Sequence, residues 1–344
     1  MDRARLLDLI SRFSSLRIAV VGDLFLDQWY DVDRTLDEPS LETGLTAFQI
    51  IRKRPAAGAA GTVINNLAAL GVGKIYAVSL LGDDGDGYEV RKALKNLGVD
   101  MTYLVTSDLV STPAYIKTVF VEDGKPPVET NRHDVKNRSV TPESLQNQLI
   151  TNVKALAPQV DAIILLDQLM EENCGVVTDS LLTILSEIAD SYPELLIYGD
   201  SRGFIRKFHN MIIKCNNHEA LGLAGGPEEG DFDLSAVYNA MDTIRDRTGH
   251  PVFITCNKHG VATEWDGEKM LVPAVDQTGR TLDIVGAGDA CTAGIVSALA
   301  AGATRPEAAF LGNLTSGVTV RMLGQTGAAQ KDKVIALFDE QFDE

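Results

Sequence analysis

The chain has 344 residues, 45% hydrophobic and 23% charged, enough for one large α/β domain or two smaller ones. Its net charge of −17 comes with no basic run longer than Arg52-Lys53-Arg54, which argues against nucleic acid and anionic membrane surfaces as partners. The opening "MDRARLLDLISRFSSLRIAV" lacks a leader's apolar core, no window of 18 uncharged apolar residues occurs, and Cys174, Cys215, Cys256 and Cys291 form no CxxC pair; a cytoplasmic protein with reduced thiols is expected.

The predicted elements alternate along the chain. "RIAVVGDLFLD" (17–27) reads as a buried strand ending in a loop, and "PAAGAAGTVINNLAALG" (55–71) as a helix stopped by Gly71. "KIYAVSLLGDDGDG" (74–87) is a strand and an acidic turn, followed by an amphipathic helix over 88–100. Further strands are expected at 160–167, 194–200, 210–217 and 251–260, with helices at 176–192, 287–301 and 306–322. This order predicts a mainly parallel sheet covered on both faces, with ligands at the carboxyl ends of its strands. Residues 28–54 and 111–134 break the rhythm and predict a small β-rich lid, the second as a hairpin turning near Asp123-Gly124. No repeat or linker divides residues 1–344, so a single domain is expected.

Three short stretches carry chemistry. In "DIVGAGDACTAG" (283–294), Gly286 and Gly288 leave room for an approaching group where a helix begins. Backbone amides and the helix dipole favour an anion there. Asp289 in the first turn would weaken anion binding by itself, and makes sense as a general base; the competing reading is an acid that suits the dipole. "PAAGAAGTVINNLAALG" is a second Gly/Ala-rich helix start. In "NNHEAL" (216–221), Asn216 and Glu219 could orient the waters of Mg²⁺ or could equally form a helix cap.

Taken together, these stretches resemble the ribokinase-like, or PfkB, sugar kinases. "DIVGAGDACTAG" is similar to that family's D-T-x-G-A-G-D-x-F-x-x-G, "GAAGTVINNLAALG" to its G-A-A-G-N-V-A-x-N-L-A-x-L-G, and "NNHE" to its N-x-x-E. The resemblance covers nearly the whole chain and implies a three-layer α/β sandwich with a β lid. It implies Mg²⁺-dependent transfer of the ATP γ-phosphoryl group to a sugar hydroxyl. By resemblance, Asp289 is the base, and the amides of Gly286, Ala287 and Gly288 form the anion hole. Asn216 and Glu219 belong to a Mg²⁺–phosphate network, Thr255, Gly260 and Asn313 meet the nucleotide, and Asp27 accepts sugar hydroxyls. A monovalent cation near Asp283 is left open.

Within the family, "VVGDLFLDQW", "STPAYIKTVF", "ETNRHD" and "YGDSRG" resemble segments of D-glycero-heptose-7-phosphate kinases, with Arg202 where these carry Lys. A sugar-phosphate acceptor is therefore expected, with Gly58, Thr62 and Arg202 on the substrate side. The departures fall in that half. Ala57 replaces one glycine of a usual pair, Thr62 replaces the usual Asn, Phe25 stands where ribokinases place a sugar-binding Asn, and "DQLMEENCGVV" carries extra residues. A different sugar or a nucleoside is the alternative acceptor, the latter against a wall of Trp29, Tyr30 and Phe48; a binding protein that has lost turnover is the other alternative. The lid could pair two subunits. No nucleotidyltransferase half follows, so a second step is expected to need another protein. There is no G-x-G-x-x-G after the first strand for a dehydrogenase, and no GxxxxGK[ST] phosphate loop.

Overall fold

The computed structural model describes residues 1–225, 232–324 and 326–342. Helix α1 (Arg3–Arg12) leads into β1 (Arg17–Gly22), which ends at the switch between two sheets. The chain then leaves the main sheet as lid strand β2 (Leu24–Val32), returns along β3 (Ile50–Ala59) and enters α2 (Ala60–Leu70). Next come β4 (Lys74–Val78), α3 (Gly85–Asn96) and the lid hairpin β5 (Ala114–Phe120) and β6 (Val128–Val135). The second half runs α4 (Glu143–Leu156), β7 (Ala162–Asp167), α5 (Asp179–Ser191), β8 (Leu196–Ser201), β9 (Ile212–Asn216), α6 (Asn217–Leu223) and α7 (Leu234–Thr248). It closes with β10 (Val252–Thr255), the hairpin β11 (Val261–Trp265) and β12 (Glu268–Val272), then α8 (Ala287–Ala300), α9 (Arg305–Thr319) and α10 (Lys331–Phe342).

The main sheet has the order β12-β11-β10-β9-β8-β7-β1-β4. Neighbours from β4 to β10 are parallel, and β11 and β12 add an antiparallel edge. Alternation along β1 explains the layers: Ile18 and Val20 join a core with α1, α2, α8, α9 and α10, while Ala19 and Val21 join one with α4, α5 and α7. The lid is a four-stranded sheet in the order β6-β5-β2-β3.

Two boundaries differ from the sequence reading. The run 17–27 is not one strand: Gly22 packs against the Leu166 backbone, where a Cβ would collide, and Asp23 turns the chain into the lid. The helix expected over 55–71 starts at Ala60, because residues 55–59 pair with β2 instead. Ala57, which replaces one glycine of the usual pair, does not have positive φ; Ala59 holds it (+53°) at the start of α2.

Candidate active site

The carboxyl ends of β7, β8 and β9, the start of α8 and the inner face of the lid enclose one cluster of charged groups. Gly286 adopts the left-handed conformation (φ +79°) that turns the loop into α8. The first α8 hydrogen bond runs from Ala290 N–H to Gly286 O. The Gly288 and Asp289 amides therefore lack an intrahelical acceptor and point out of the helix start. Ala287 N–H, expected in the anion hole, closes a turn onto Ile284 O at 3.1 Å. The Asp283 carboxylate pins the loop from behind, accepting from Val285 N–H (3.1 Å) and Gly324 N–H (3.0 Å).

Beneath that helix start lies a buried ion pair that sequence reasoning missed. Lys214 Nζ on β9 donates to Asp200 Oδ2 on β8 at 2.7 Å. Burial works against the Lys214 ammonium, but Asp200 outweighs it and the pKa rises. A side-chain atom on Gly288 would sit 3.2 Å from Lys214 Nζ, so the missing Cβ leaves room for the ammonium beside the helix start. Asp289 is half-buried, and its pKa is pushed up to about 7 by burial; Lys214 and Arg202 oppose that shift, while Asp200 and Asp27 add to it. One signal was available in the sequence: a lysine inside the apolar run "NMIIKCNN" must be paired.

Asn216 and Glu219 form a reciprocal cap on α6. Asn216 Oδ1 accepts from Glu219 N–H (2.9 Å) and Glu219 Oε2 from Asn216 N–H (2.7 Å). Glu219 nevertheless faces the cluster: burial raises its pKa, the Asn216 bond lowers it, and Asp200, Lys214 and Arg202 all act on its charge. No group of three His, Cys, Asp or Glu side chains placed to hold a metal ion occurs among the described residues.

On the lid side, Asp27 lies across Gly58, where any Cβ would collide with its carboxylate. Burial raises the Asp27 pKa to about 6, against the pull of Lys117, Arg202 and Arg132. Arg202 is exposed and in no ion pair among the described residues, yet its charge is felt by Asp27, Glu219 and Asp289. Thr62 is buried in α2, and its methyl would lie 3.4 Å from a Cβ on Gly286. It therefore packs the helix against the anion loop. Trp29, Tyr30 and Phe48 do not make one wall. Trp29 and Tyr30 are consecutive in β2 and face opposite sides. Trp29 lies between Lys117 and Arg54, and Phe48 packs on Phe120.

The third group of expected residues lies at the antiparallel edge. Gly260 (φ +111°) is pressed so close to the Val272–Ala274 backbone that no side chain fits. Asn313 Nδ2 donates to Val272 O (3.0 Å) and Pro273 O (2.9 Å), tying α9 to the same strand end. Thr255 Oγ1 reaches Cys215 O at 3.4 Å.

The pfkB family carbohydrate kinase pattern matches residues 15–332. The bifunctional protein HldE of Paramagnetospirillum magneticum is 29% identical over 337 residues, covering 96% of this chain and 66% of that protein. HldE of Trichlorobacter lovleyi is 28% identical over 349 residues, covering 100% of this chain and 67% of its own length. The chain thus spans about two thirds of the length of these curated relatives. Among solved structures, Arabidopsis thaliana ribokinase complexed with ribose and ATP superposes with a TM-score of 0.67 at 18% identity, over 94% of this chain and 98% of that one. Escherichia coli phosphofructokinase-2 in complex with substrates and products gives 0.71 at 15% identity, over 95% and 99%. The fold is ribokinase-like, and the match over residues 15–332 shows that the chain belongs to the pfkB family of carbohydrate kinases, phosphotransferases with an alcohol group as acceptor.

Proposed function

We propose that this chain transfers the γ-phosphoryl group of ATP to a hydroxyl of a phosphorylated sugar of heptose-7-phosphate type. The observation that carries the reading is the placement of Asp289 among the first-turn amides of α8, the Lys214–Asp200 pair and the lid carboxylate Asp27. Phosphoryl transfer asks for alignment and charge neutralisation more than covalent chemistry. Asp289 takes the proton of the attacking hydroxyl. The Gly288 and Asp289 amides with Lys214 stabilise charge on the transferring group. Asp27 holds acceptor hydroxyls and, across Gly58, fixes their distance from Asp289.

The acceptor's own phosphate is assigned to the cations that converge on Asp27. Lys117 and Arg132 on the lid and Arg202 on the body all lower the Asp27 pKa, although Lys117 also pairs with Glu129 (3.6 Å) and Arg132 with Asp134 (2.6 Å). Arg202, in no ion pair among the described residues, is the cation of the three best placed to meet an added phosphate on a chain of charge −17. The nucleoside alternative loses support because its three aromatic residues do not converge. Nothing in the Asp289 region favours a turnover-dead binding protein. The nucleotide lies along Thr255, Gly260 and Asn313. When bound with the nucleotide, Mg²⁺ would supply charge neutralisation, and Asn216 and Glu219 are the residues that would hold its water.

Exposed Leu41, Leu45, Phe48, Ile50 and Ile51 on the lid segment support pairing of two subunits there. No helix among the described residues is long and apolar enough to cross a membrane. The experiment is ADP release from Mg·ATP with heptose 7-phosphate, free heptose, hexoses, hexose phosphates, ribose and nucleosides as acceptors. Preference for a sugar phosphate over its unphosphorylated form supports the reading; turnover only with neutral acceptors contradicts it.

A further inference from the structure

The stretch 273–286 joins β12 to α8, so its two ends frame the cluster. At one end, Gly260 and Asn313 clamp Val272 and Pro273; at the other, the backbone becomes the anion loop. Between them, the loop is held largely by side chains from the last turn of α10. Gln341 makes a two-way bond with the Asp276 backbone: Oε1 accepts from Asp276 N–H (2.9 Å) and Nε2 donates to Asp276 O (2.6 Å). Glu340 binds two arginines: Oε1 accepts from Arg280 Nη2 (2.7 Å) and Oε2 from Arg321 Nη1 (2.9 Å). Arg321 Nε in turn donates to Gln277 Oε1 (2.9 Å), and Gln277 Nε2 to Gly317 O (3.2 Å).

We infer that Glu340 and Gln341 are positioning residues for nucleotide binding, acting through Asp276, Arg280 and Arg321 on the 273–286 loop. The inference rests on the proposed ATP site and assigns it a part of the chain far in sequence from every nucleotide-side motif. Four charged or bidentate contacts converge on two side chains, while the loop itself has little core of its own: Val275 is its buried residue and most of the others are exposed. Glu340 and Gln341 touch none of the predicted site residues, so they set the loop's position and not the chemistry.

The same helix supplies a matched control. Asp339 pairs with Arg3 of α1 (2.7 Å) and makes no hydrogen bond to the loop among the described residues. The experiment measures Mg·ATP affinity by calorimetry, and KM for ATP and acceptor with kcat, for the wild type, Glu340→Gln/Gln341→Ala and Asp339→Asn. The double variant should lose about 5-fold or more in ATP affinity and KM, with kcat and acceptor KM within about twofold, because loop order and not transfer is disturbed. Asp339→Asn should match the wild type in all of these. An unchanged ATP affinity in the double variant, or an equal loss in Asp339→Asn, overturns the inference. If the wild type itself binds no ATP, the proposed function fails first, and that outcome is distinct from the other two.

Discussion

Lys214 and Asp200, on adjacent parallel strands, form a buried ion pair of 2.7 Å directly under the start of α8. A buried pair of this kind adds little net stability over apolar residues, but breaking it strands one charge. Lys214→Met should cost about 3–5 kcal/mol in chemical denaturation and lower kcat by about 10²-fold. Lys214→Met/Asp200→Leu should recover most of that stability without recovering turnover. Recovery of both would make the pair purely structural.

The pH profile follows from Asp289. Burial raises its pKa to about 7, and a base works only when ionised. The rate kcat/KM should therefore be level above that pKa and fall about tenfold per pH unit below it. A profile flat down to pH 5 would remove Asp289 as the titrating base.

Arg202 lowers the pKa values of Asp289 and Asp27 without pairing with either. Arg202→Ala should raise the KM for a phosphorylated acceptor by about tenfold, the scale of one charge-assisted contact, and move the acid limb of the profile to higher pH. If neither shifts, Arg202 is a solvated surface charge.

Gly58 is needed for contact, not for flexibility, since its φ is not positive and the space beside it is filled by Asp27. Gly58→Ala should displace the Asp27 carboxylate and raise acceptor KM by about tenfold or more, with ATP affinity retained. Equal loss of ATP affinity would place Gly58 in general lid folding instead.

Much of this was legible in the sequence where the determinants are local. The glycines of 283–294, the cap at Asn216–Glu219 and the alternation of β7, β8 and β9 with their helices are each set by neighbouring residues. The run 17–27 misled because β1 and β2 are both buried, and only the collision of a Cβ at Gly22 with Leu166 reveals the break. The hairpin β11–β12 and helices α4, α7 and α10 went unassigned, although Asp266-Gly267, both at positive φ, marks the hairpin turn, and Asp233 and Gly249 cap α7 at its two ends. Lys214 was missed because its partner lies 14 residues away on another strand, a pairing that strand order creates. The turn bond from Ala287 N–H to Ile284 O likewise leaves no mark in the residue types.

The most direct test of the central claim compares Asp289→Asn with the wild type for single-turnover transfer and for Mg·ATP affinity. The account predicts a loss of transfer of about 10²–10⁴-fold with ATP affinity within about threefold, since only the base is removed. Transfer at the wild-type rate in Asp289→Asn would contradict it.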